Sequence, residues 1–389
     1  MIPALLPTYN RIPLRFARGE GAWLWTEDGE RYLDFGAGIA VNALGHAHPA
    51  LVSALTEQAG RVWHVSNLYE IGPQQALAER LVAATFADTC FFTNSGTEAA
   101  ELAIKMVRRH WFEAGEERPT ILTFEGAFHG RSTGAIAAAG SKKMAHGFGP
   151  LMPGFRTLPW GDHDALEAAL DETVAAVMVE PIQGEGGIRV MPDQCLKGLR
   201  EACDRTGALL VLDEVQCGMG RTGRLFAHEW AGMTPDIMMV AKGIGGGFPL
   251  GAVLATEAAG RAMTAGTHGS TYGGNPLGCA VGLAVLGMVD DADFLGGVSR
   301  RAAHLRQGLE GLVAAHGAVF GAVRGRGLLA GLECRVPPAE VRAAAEAEHL
   351  LTVPASDDVL RLLPPLNVSE AELSEAVARL DRAATALTA

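Results

Sequence analysis

Two segments decide the fold: Ala208-Leu209-Leu210-Val211-Leu212-Asp213 and Ile237-Met238-Met239-Val240-Ala241-Lys242. Each is an apolar run that ends in a charged residue, which is typical of a strand buried in a parallel sheet. Three more apolar runs precede them, at 90–92, 121–124 and 174–179, and helix-like stretches lie between the runs. This alternation predicts an α/β fold with a mostly parallel sheet.

The character of the sequence changes around Gly273-Gly274. Long helical segments rich in Ala, Arg and Glu follow, with strand-like pieces near 323–333 and 359–363. Because 389 residues exceed the usual size of one domain, we expect a large domain over 46–271 and a smaller α+β domain over 272–389. Residues 1–45 are predicted to be an extended segment that packs with the small domain.

Composition limits the partners. The chain has 32 Lys and Arg against 44 Asp and Glu, and the formal charge of -12 disfavours nucleic acid and anionic membranes. The six cysteines show no C-x-x-C pair and no metal-ligand spacing, so we expect reduced thiols and no metal site. The N-terminus lacks the pattern of a cleaved signal, and the longest apolar-rich run, 279–289, is shorter than the roughly 20 residues that cross a bilayer. We therefore expect a cytoplasmic protein.

Polar residues follow each apolar run, where ligands bind in open parallel sheets. They comprise an anion-binding segment, an aromatic residue, several carboxylates and one lysine, at Asn94-Ser95-Gly96-Thr97, Phe128-His129-Gly130-Arg131, Glu180, Glu185, Asp213, Gln216 and Lys242. These side chains are expected to meet at one edge of the sheet.

The segment Ser95-Gly96-Thr97-Glu98 opens a predicted helix directly after a strand. Free N–H groups and the helix dipole favour a phosphate at such a place. Ser95 and Glu98 also have the spacing of a capping box, so helix capping is the competing interpretation. This segment alone leaves both open.

Lys242 and Asp213 are the strongest candidates for chemistry. A lysine at a buried strand end can lose its proton by desolvation and become a nucleophile, although it could equally extend into solvent. A buried carboxylate such as Asp213 needs a cation, because leaving it unpaired costs several kcal/mol. An arginine or a protonated ring nitrogen would serve.

A dinucleotide-binding pattern, G-x-G-x-x-G, occurs at Gly218-Met219-Gly220-Arg221-Thr222-Gly223, with Asp236 downstream. The context disfavours a nicotinamide site, because Asp213-Glu214-Val215-Gln216 intervenes after the strand and Asp236 precedes its strand. The histidines lack metal-ligand spacing and are interpreted as structural hydrogen-bonding residues. They are His46, His48, His129 and His268.

Seven ordered blocks make the chain resemble the class III aminotransferases, the family of the ornithine and acetylornithine enzymes, over essentially its whole length. The blocks are Phe92-Thr93-Asn94-Ser95-Gly96-Thr97-Glu98-Ala99, Phe128-His129-Gly130-Arg131, Glu180-Pro181-Ile182-Gln183-Gly184-Glu185-Gly186-Gly187, Leu212-Asp213-Glu214-Val215-Gln216, Ala241-Lys242-Gly243, Gly269-Ser270-Thr271-Tyr272-Gly273-Gly274-Asn275-Pro276 and Leu360-Arg361-Leu362-Leu363-Pro364-Pro365. The resemblance implies a fold type I pyridoxal 5'-phosphate (PLP) enzyme that works as a homodimer with shared active sites.

The resemblance also implies a set of cofactor contacts. Lys242 would hold PLP covalently, and Asp213 would pair with the ring nitrogen. The remaining contacts would come from Ser95, Gly96, Thr97, Phe128, Glu180, Val215 and Gln216, with Ser270 and Thr271 supplied by the partner subunit.

The implied substrates are amino acids and 2-oxo acids. Arg361 would bind the α-carboxylate of glutamate or 2-oxoglutarate, and Arg131 would bind the distal carboxylate of glutamate or the α-carboxylate of acetylornithine. Glu185 would pair with Arg361 while the amine donor is bound. The implied reaction moves the δ-amino group of N2-acetylornithine to 2-oxoglutarate; ornithine, succinylornithine and succinyl-diaminopimelate are alternative donors, and a PLP aminomutase stays open.

One position bears on the amine donor. The residue that aligns with Ile39 is usually a tyrosine in ornithine-type members of the family. An apolar Ile39 near the substrate would leave a free α-ammonium without an acceptor. We therefore expect a preference for the acetylated donor.

Overall fold

The computed structural model describes residues 2–388, which form seventeen strands. In chain order the strands are β1 (Phe16–Glu20), β2 (Trp23–Thr26), β3 (Arg31–Asp34), β4 (Thr89–Thr93), β5 (Thr120–Phe124), β6 (Phe155–Leu158), β7 (Val174–Val179), β8 (Ile182–Gln183), β9 (Arg189–Val190), β10 (Leu209–Asp213), β11 (Ile237–Val240), β12 (Gly251–Ala255), β13 (Phe320–Arg326), β14 (Leu329–Cys334), β15 (Leu350–Leu351), β16 (Val353–Ala355) and β17 (Val359–Leu362).

Helices separate most of these strands. The α-helices are Pro49–Ala59, Gly72–Ala84, Gly96–Ala114, Thr133–Ala139, Lys142–Ala145, His163–Ala169, Asp193–Thr206, Glu257–Gly260, Pro276–Val289, Ala292–Ala315, Pro338–Ala347 and Glu370–Thr388, with short 3-10 turns at Ala227–Trp230 and Lys242–Gly245. In the described chain, no helix has the length and apolar character needed to cross a membrane.

The central sheet joins seven of the described strands in the order β4-β12-β11-β10-β7-β5-β6. Strands β11, β10, β7, β5 and β6 run parallel, whereas β12 pairs antiparallel with both β11 and β4. Strands β7, β10, β11 and β12 are buried along their whole length. The prediction of an α/β fold with a mostly parallel sheet is confirmed.

Helix Gly96–Ala114 shows how the sequence sets local structure next to the site. The Ser95 side chain accepts a hydrogen bond from the Glu98 N–H, and Gly115 ends the helix in the left-handed conformation at φ 71°. Its apolar face, which includes Leu102, Met106 and Val107, is buried against the sheet. Packing of this face fixes the helix so that its N-terminus lies at the carboxyl end of β4.

Two smaller sheets lie outside the central one. The order β1-β2-β3-β15 pairs the N-terminal strands with Leu350–Leu351, and the order β13-β14-β17-β16 builds the C-terminal part. The first pairing places β3 beside β15, and the packing of residues 1–45 with the small domain stays a prediction. Helix Pro276–Val289, however, packs against Pro49–Ala59 and Gly72–Ala84 of the predicted large domain. The boundaries at 45 and 271 stay predictions.

A left-handed turn occupies Ala37–Ala40, where four successive residues have φ between 45° and 64°. Such a conformation costs roughly 1–2 kcal/mol for each non-glycine residue. Asp34 stabilises the turn, because its Oδ1 accepts hydrogen bonds from the N–H groups of Gly36 (2.9 Å) and Ala37 (3.0 Å). The turn leaves Ile39 exposed at the surface.

Candidate active site

A cleft of about 370 Å³ opens at the carboxyl ends of the central parallel strands. This is where the topology of an open α/β sheet places ligands. Ten of the residues singled out in the sequence line it: Ser95, Gly96, Thr97, Phe128, Glu180, Glu185, Asp213, Val215, Gln216 and Lys242. Residues separated by up to 147 positions in the chain therefore meet in one cavity.

Lys242 follows β11 directly and begins the 3-10 turn Lys242–Gly245. Its backbone is left-handed at φ 51°, a conformation that is unfavourable for a lysine and is common at functional sites. Burial of the Lys242 side chain is the main cause that lowers its pKa, and the positive charge of Arg361 acts in the same direction. The carboxylates of Glu185, Asp213 and Glu180 oppose this shift. A lowered pKa makes the neutral, nucleophilic amine more accessible at neutral pH.

Asp213 ends β10 and is almost fully buried. Its Oδ2 lies 2.7 Å from His129 Nδ1, and its Oδ1 accepts a hydrogen bond from the Val215 N–H at 3.0 Å. Burial opposes the charged form of His129, but the hydrogen bond and charge of Asp213, with the charge of Glu180, raise the pKa of His129. The two contacts hold the Asp213 carboxylate in a fixed orientation.

Glu180, which follows β7, is buried beside this pair. Its carboxyl group accepts hydrogen bonds from the N–H groups of Phe128 (3.0 Å) and Gly184 (3.4 Å). Desolvation, aided by the charge of Asp213, raises the pKa of Glu180 to about 8 in spite of His129. The raised pKa of Glu180 favours the protonated carboxyl group, which can donate a hydrogen bond.

The N-terminus of helix Gly96–Ala114 forms one wall of the cleft. Ser95 Oγ caps the Glu98 N–H at 3.2 Å, while Glu98 Oε2 binds the N–H of Asn94 at 2.7 Å, so the helix is capped. The N–H groups of Gly96 and Thr97 have no hydrogen-bond acceptor among residues 2–388. Capping therefore leaves the N–H groups of Gly96 and Thr97 available to an anion, because it uses other N–H groups.

The space beside this helix end is available only to glycine. A Cβ on Gly96 would lie 2.9 Å from Val215 Cγ1, and a Cβ on Gly130 would lie 2.0 Å from Thr97 Oγ1. Phe128 and Val215 line the same cavity. An aromatic face, an apolar face, a buried carboxylate, a lysine and free helix N–H groups fit the shape and charges of PLP.

Glu185 lines the cleft and is paired with Arg361 of strand β17, which is buried and does not line it. Arg361 is 1% exposed, and its Nη1 and Nη2 donate to Glu185 Oε1 (2.5 Å) and Oε2 (3.1 Å). Arg361 Nη1 also lies 3.4 Å from Gln216 Oε1, and Nη2 donates to the Pro354 carbonyl at 3.2 Å. The bidentate pair joins a buried cation to a carboxylate that lines the cavity, an arrangement that a substrate carboxylate can replace.

Four predicted site residues do not line the cleft of their own chain: Arg131, Ser270, Thr271 and Arg361. Arg361 is buried and paired with Glu185, which does line it. Arg131 is exposed, with its guanidinium 5.6 Å from the Phe128 ring centroid and its N–H bound to Thr97 Oγ1 at 2.9 Å. Ser270 Oγ accepts from Gly273 N at 2.9 Å and lies 3.3 Å from Asn94 Nδ2, and Thr271 is exposed. The predicted roles of these residues stay predictions.

Ile39 also lies elsewhere. It lines a separate cavity with Leu14, Phe16 and Leu24, and Val41 is the residue of this loop that lines the cleft. The left-handed turn at Ala37–Ala40, which the sequence did not predict, changes the direction of the chain here. The expectation that Ile39 contacts the amine donor was wrong for a single chain.

The G-x-G-x-x-G segment forms a series of turns and does not open a helix. The Asp236 carboxylate is bound to Arg200 Nη1 and to the Leu210 N–H, each at 2.7 Å. A dinucleotide site needs the helix N-terminus and a free carboxylate, so this segment lacks its geometry.

The sequence placed His129 at this edge of the sheet but assigned it no role in the site. It was interpreted as structural, yet it lines the cleft and orients Asp213. The available signal was its position in Phe128-His129-Gly130-Arg131 after β5. No spacing rule links it to Asp213, which lies 84 residues away.

Comparisons with known proteins agree with this geometry. A family model described as aminotransferase class-III matches residues 6–384. The acetylornithine aminotransferase of Rhodobacter capsulatus is 68% identical over 388 residues, covering 100% of this chain and 99% of that protein. The crystal structure of N-acetylornithine aminotransferase from Stenotrophomonas maltophilia aligns with a TM-score of 0.86 and 41% identity over 98% of each chain.

A further solved structure concerns the cofactor. The ornithine aminotransferase of Toxoplasma gondii, crystallised with oxidised glutathione, has partial occupancy of PLP at its active site. It aligns with a TM-score of 0.93 and 32% identity, covering 97% of this chain and 92% of that one.

Proposed function

The chain belongs to the class III aminotransferases, and from that premise we propose that it transfers the δ-amino group of N2-acetylornithine to 2-oxoglutarate. The products are N-acetylglutamate semialdehyde and glutamate, a step of arginine biosynthesis. The observation that carries the proposal is the meeting of Lys242, Asp213 and the Glu185–Arg361 pair in one cleft.

Pyridoxal 5'-phosphate is the cofactor that this cleft fits. When bound, it accepts the electrons that a substrate carbon releases as it loses a proton. Lys242 would hold it covalently, Asp213 would keep its ring nitrogen protonated, and Gly96 and Thr97 would donate N–H groups to its phosphate. The other predicted contacts are Ser95, Phe128, Glu180, Val215 and Gln216.

Lys242 then acts as the proton carrier. When a substrate amine takes the place of Lys242 on the cofactor, the Lys242 side chain would be released. Its lowered pKa favours the neutral lysine amine, which would take a proton from the substrate carbon and return it. His129 orients Asp213 through the 2.7 Å contact and so holds the carboxylate toward the ring. The raised pKa of Glu180 disfavours a second negative charge beside Asp213 in this part of the cleft.

Two arginines and one glutamate let one cleft accept two substrates. Arg361 binds the α-carboxylate of glutamate or 2-oxoglutarate when Glu185 turns away. Glu185 neutralises Arg361 when the amine donor, which brings no carboxylate there, is bound. Arg131 binds the second carboxylate. We call this exchange at Arg361 the Glu185 switch.

The active enzyme is proposed to be a cytoplasmic homodimer. Thr271 is exposed, and neither Ser270 nor Thr271 lines the cleft of its own chain, which supports a role in the partner's phosphate site. Large apolar side chains, including Trp63, Leu68 and Tyr272, are exposed on the single chain and offer a surface for a second copy.

The apolar wall of the cleft favours the acetylated donor. Val41, Phe248 and Pro249 line the cavity and offer no side-chain acceptor to a free α-ammonium. We expect at least about a tenfold higher kcat/KM for N2-acetylornithine than for ornithine, equivalent to about 1.4 kcal/mol.

Steady-state glutamate production with 2-oxoglutarate and each donor tests the proposal. The donors are N2-acetylornithine, ornithine, succinylornithine and succinyl-diaminopimelate. Equal kcat/KM values for N2-acetylornithine and ornithine would contradict the proposed donor. Turnover of the donor without consumption of 2-oxoglutarate would indicate an aminomutase.

A further inference from the structure

The Glu185 switch lies beside a group of charged residues that do not line the cleft. Arg189, Arg324, Glu333 and Asp357 form this group, which we call the outer charge cluster. Arg324 Nη1 donates to Asp357 Oδ2 at 2.5 Å, and Arg324 Nη2 donates to Glu333 Oε2 at 2.7 Å. Arg189 Nη2 lies 3.3 Å from Asp357 Oδ1.

The cluster joins the two hairpins that carry the switch. Glu185 lies between β8 and β9, and Arg189 begins β9. Asp357 lies between β16 and β17, and Arg361 is in β17. Each partner of the switch is thus four residues from one partner of the Arg189–Asp357 ion pair.

Backbone contacts run through the same place. The Ser356 N–H donates to the Glu185 carbonyl at 3.0 Å, and Arg324 Nη1 donates to the Gly187 carbonyl at 3.3 Å. Gly187 has φ 100°, and a Cβ there would lie 2.7 Å from Asp357 Cβ. The loop that carries Glu185 is therefore held against the Asp357 turn at its carbonyl groups.

We propose that Asp357 and Arg189 are positioning residues that set how strongly Glu185 competes with a substrate carboxylate for Arg361. They hold the backbone of Glu185, so that pairing with Arg361 requires ordering only one side chain. Loosening the loop raises the entropic cost of the Glu185–Arg361 pair and leaves Arg361 free more often. A dicarboxylate then binds more tightly, because the fraction of protein with a free Arg361 divides its dissociation constant.

The inference rests on the Glu185 switch of the proposed function. It predicts that substitutions in the outer charge cluster increase the affinity for a dicarboxylate. A substitution that damages a binding site weakens ligand binding. Loss of the Arg189–Asp357 ion pair is instead expected to strengthen dicarboxylate binding. Asp357→Asn keeps the size of the side chain and suits the left-handed backbone at φ 61°. Arg189→Gln removes the same ion pair from the other side.

The test measures inhibition of the holoenzyme by glutarate, an unreactive dicarboxylate of the same length as glutamate. Both variants are expected to lower the inhibition constant about twofold to fivefold, as suits a partly exposed ion pair. The ratio of kcat/KM for the amine donor to that for glutamate should fall in both.

Two controls separate other causes. Arg326 lies in strand β13, as does Arg324 of the outer charge cluster. Its ion pair with Asp193 joins β13 to helix Asp193–Thr206 and is about as exposed as the Arg189–Asp357 pair. Asp193→Asn breaks this pair and should leave glutarate inhibition unchanged. A long-range charge effect would move Asp357→Asn and Arg189→Gln in opposite directions. Opposite shifts, a raised constant in both variants, or a matching shift in Asp193→Asn would overturn the inference.

Glu185→Gln distinguishes failure of the inference from failure of the switch. It should lower the inhibition constant at least as much as Asp357→Asn, and Asp357→Asn should add nothing in that background. If Glu185→Gln has no effect, the switch fails and the inference falls with it. If Glu185→Gln tightens glutarate binding and the two cluster variants do not, the inference alone is overturned.

Discussion

Lys242 combines, in one residue, a left-handed backbone, a lowered pKa and a place in the cleft beside Asp213. The sequence predicted its importance because a lysine follows a buried strand. It could not predict the strained backbone, which arises from the 3-10 turn Lys242–Gly245. Similarly, the sequence identified Asp213 but not the partner that orients it, His129.

Lys242→Ala is expected to abolish multiple turnover while leaving a folded protein. The substitution removes the covalent attachment and the proton carrier, and a smaller side chain is tolerated in the cavity. Glutamate production measures the loss, and circular dichroism checks the fold. Repeated turnover by the variant would contradict the assignment.

The raised pKa of Glu180 predicts that the stability of the protein depends on pH. Its pKa in the folded protein, about 8, lies above the ordinary 4.5, so the native state binds more protons than the unfolded state between these values. The free energy of unfolding should therefore fall as pH rises from about 5 to 8, by up to about 1.4 kcal/mol per pH unit for this proton. His129, whose pKa is also raised, contributes in the same direction.

Glu180→Gln should flatten this slope, measured by urea unfolding of the cofactor-free protein across that range. Glu172→Gln, a change at an exposed carboxylate, should leave the slope as it is. An unchanged slope in Glu180→Gln would mean that Glu180 is ionised in the folded protein.

Among the elements, helix Gly96–Ala114 was predicted well and β12 poorly. The capping pattern of Ser95 and Glu98 directly after a strand predicted where the helix begins, and the structure has the helix begin at Gly96 with Ser95 as its cap. The sequence of β12, Gly-Ala-Val-Leu-Ala, follows a glycine-rich stretch and carries no signal for antiparallel pairing. Its direction depends on contacts with both β4 and β11, which no local pattern encodes.

Gly96→Ala tests the helix end. The new Cβ would lie 2.9 Å from Val215 Cγ1, so Val215 must shift toward the space where the cofactor would sit. We expect about tenfold weaker PLP binding, a cost of about 1.4 kcal/mol, in a titration of the cofactor-free protein.

Gly198→Ala is the matched control, because Gly198 lies in helix Asp193–Thr206 with no atom within 4 Å of its added Cβ. It should leave cofactor affinity unchanged and stabilise the helix by roughly 0.5–1 kcal/mol. Equal cofactor affinity in Gly96→Ala and Gly198→Ala would show that the N-terminus of helix Gly96–Ala114 is not part of the cofactor site.

The whole molecule was predicted in outline from ordered blocks spread along the chain. The N-terminal strands pair with Leu350–Leu351 across more than 300 positions, a contact that periodicity in the sequence cannot specify. The left-handed turn at Ala37–Ala40 was likewise invisible, because none of its residues except Gly38 favours that conformation. The prediction for Ile39 failed for this reason.

The proposed dimer makes a prediction at this scale. Thr271→Ala should weaken PLP binding in the partner's site, and Lys242→Ala should inactivate its own site. At limiting PLP each variant alone should be nearly inactive. Mixed and refolded together, they should regain activity, because a mixed dimer has one site with both Lys242 and Thr271. No recovery in a preparation that contains mixed dimers would place Thr271 outside the shared site.

The central claim is that Lys242 holds PLP covalently and releases it to the δ-amine of N2-acetylornithine, so that the lysine amine becomes free. The most direct measurement is the visible and near-ultraviolet absorbance spectrum of the purified protein before and after addition of N2-acetylornithine without 2-oxoglutarate. We predict a yellow protein whose visible band is lost as the donor is consumed in a single turnover and returns when 2-oxoglutarate is added. A protein that binds PLP with no change on addition of the donor, or a Lys242→Ala variant that completes the same cycle repeatedly, would contradict the account.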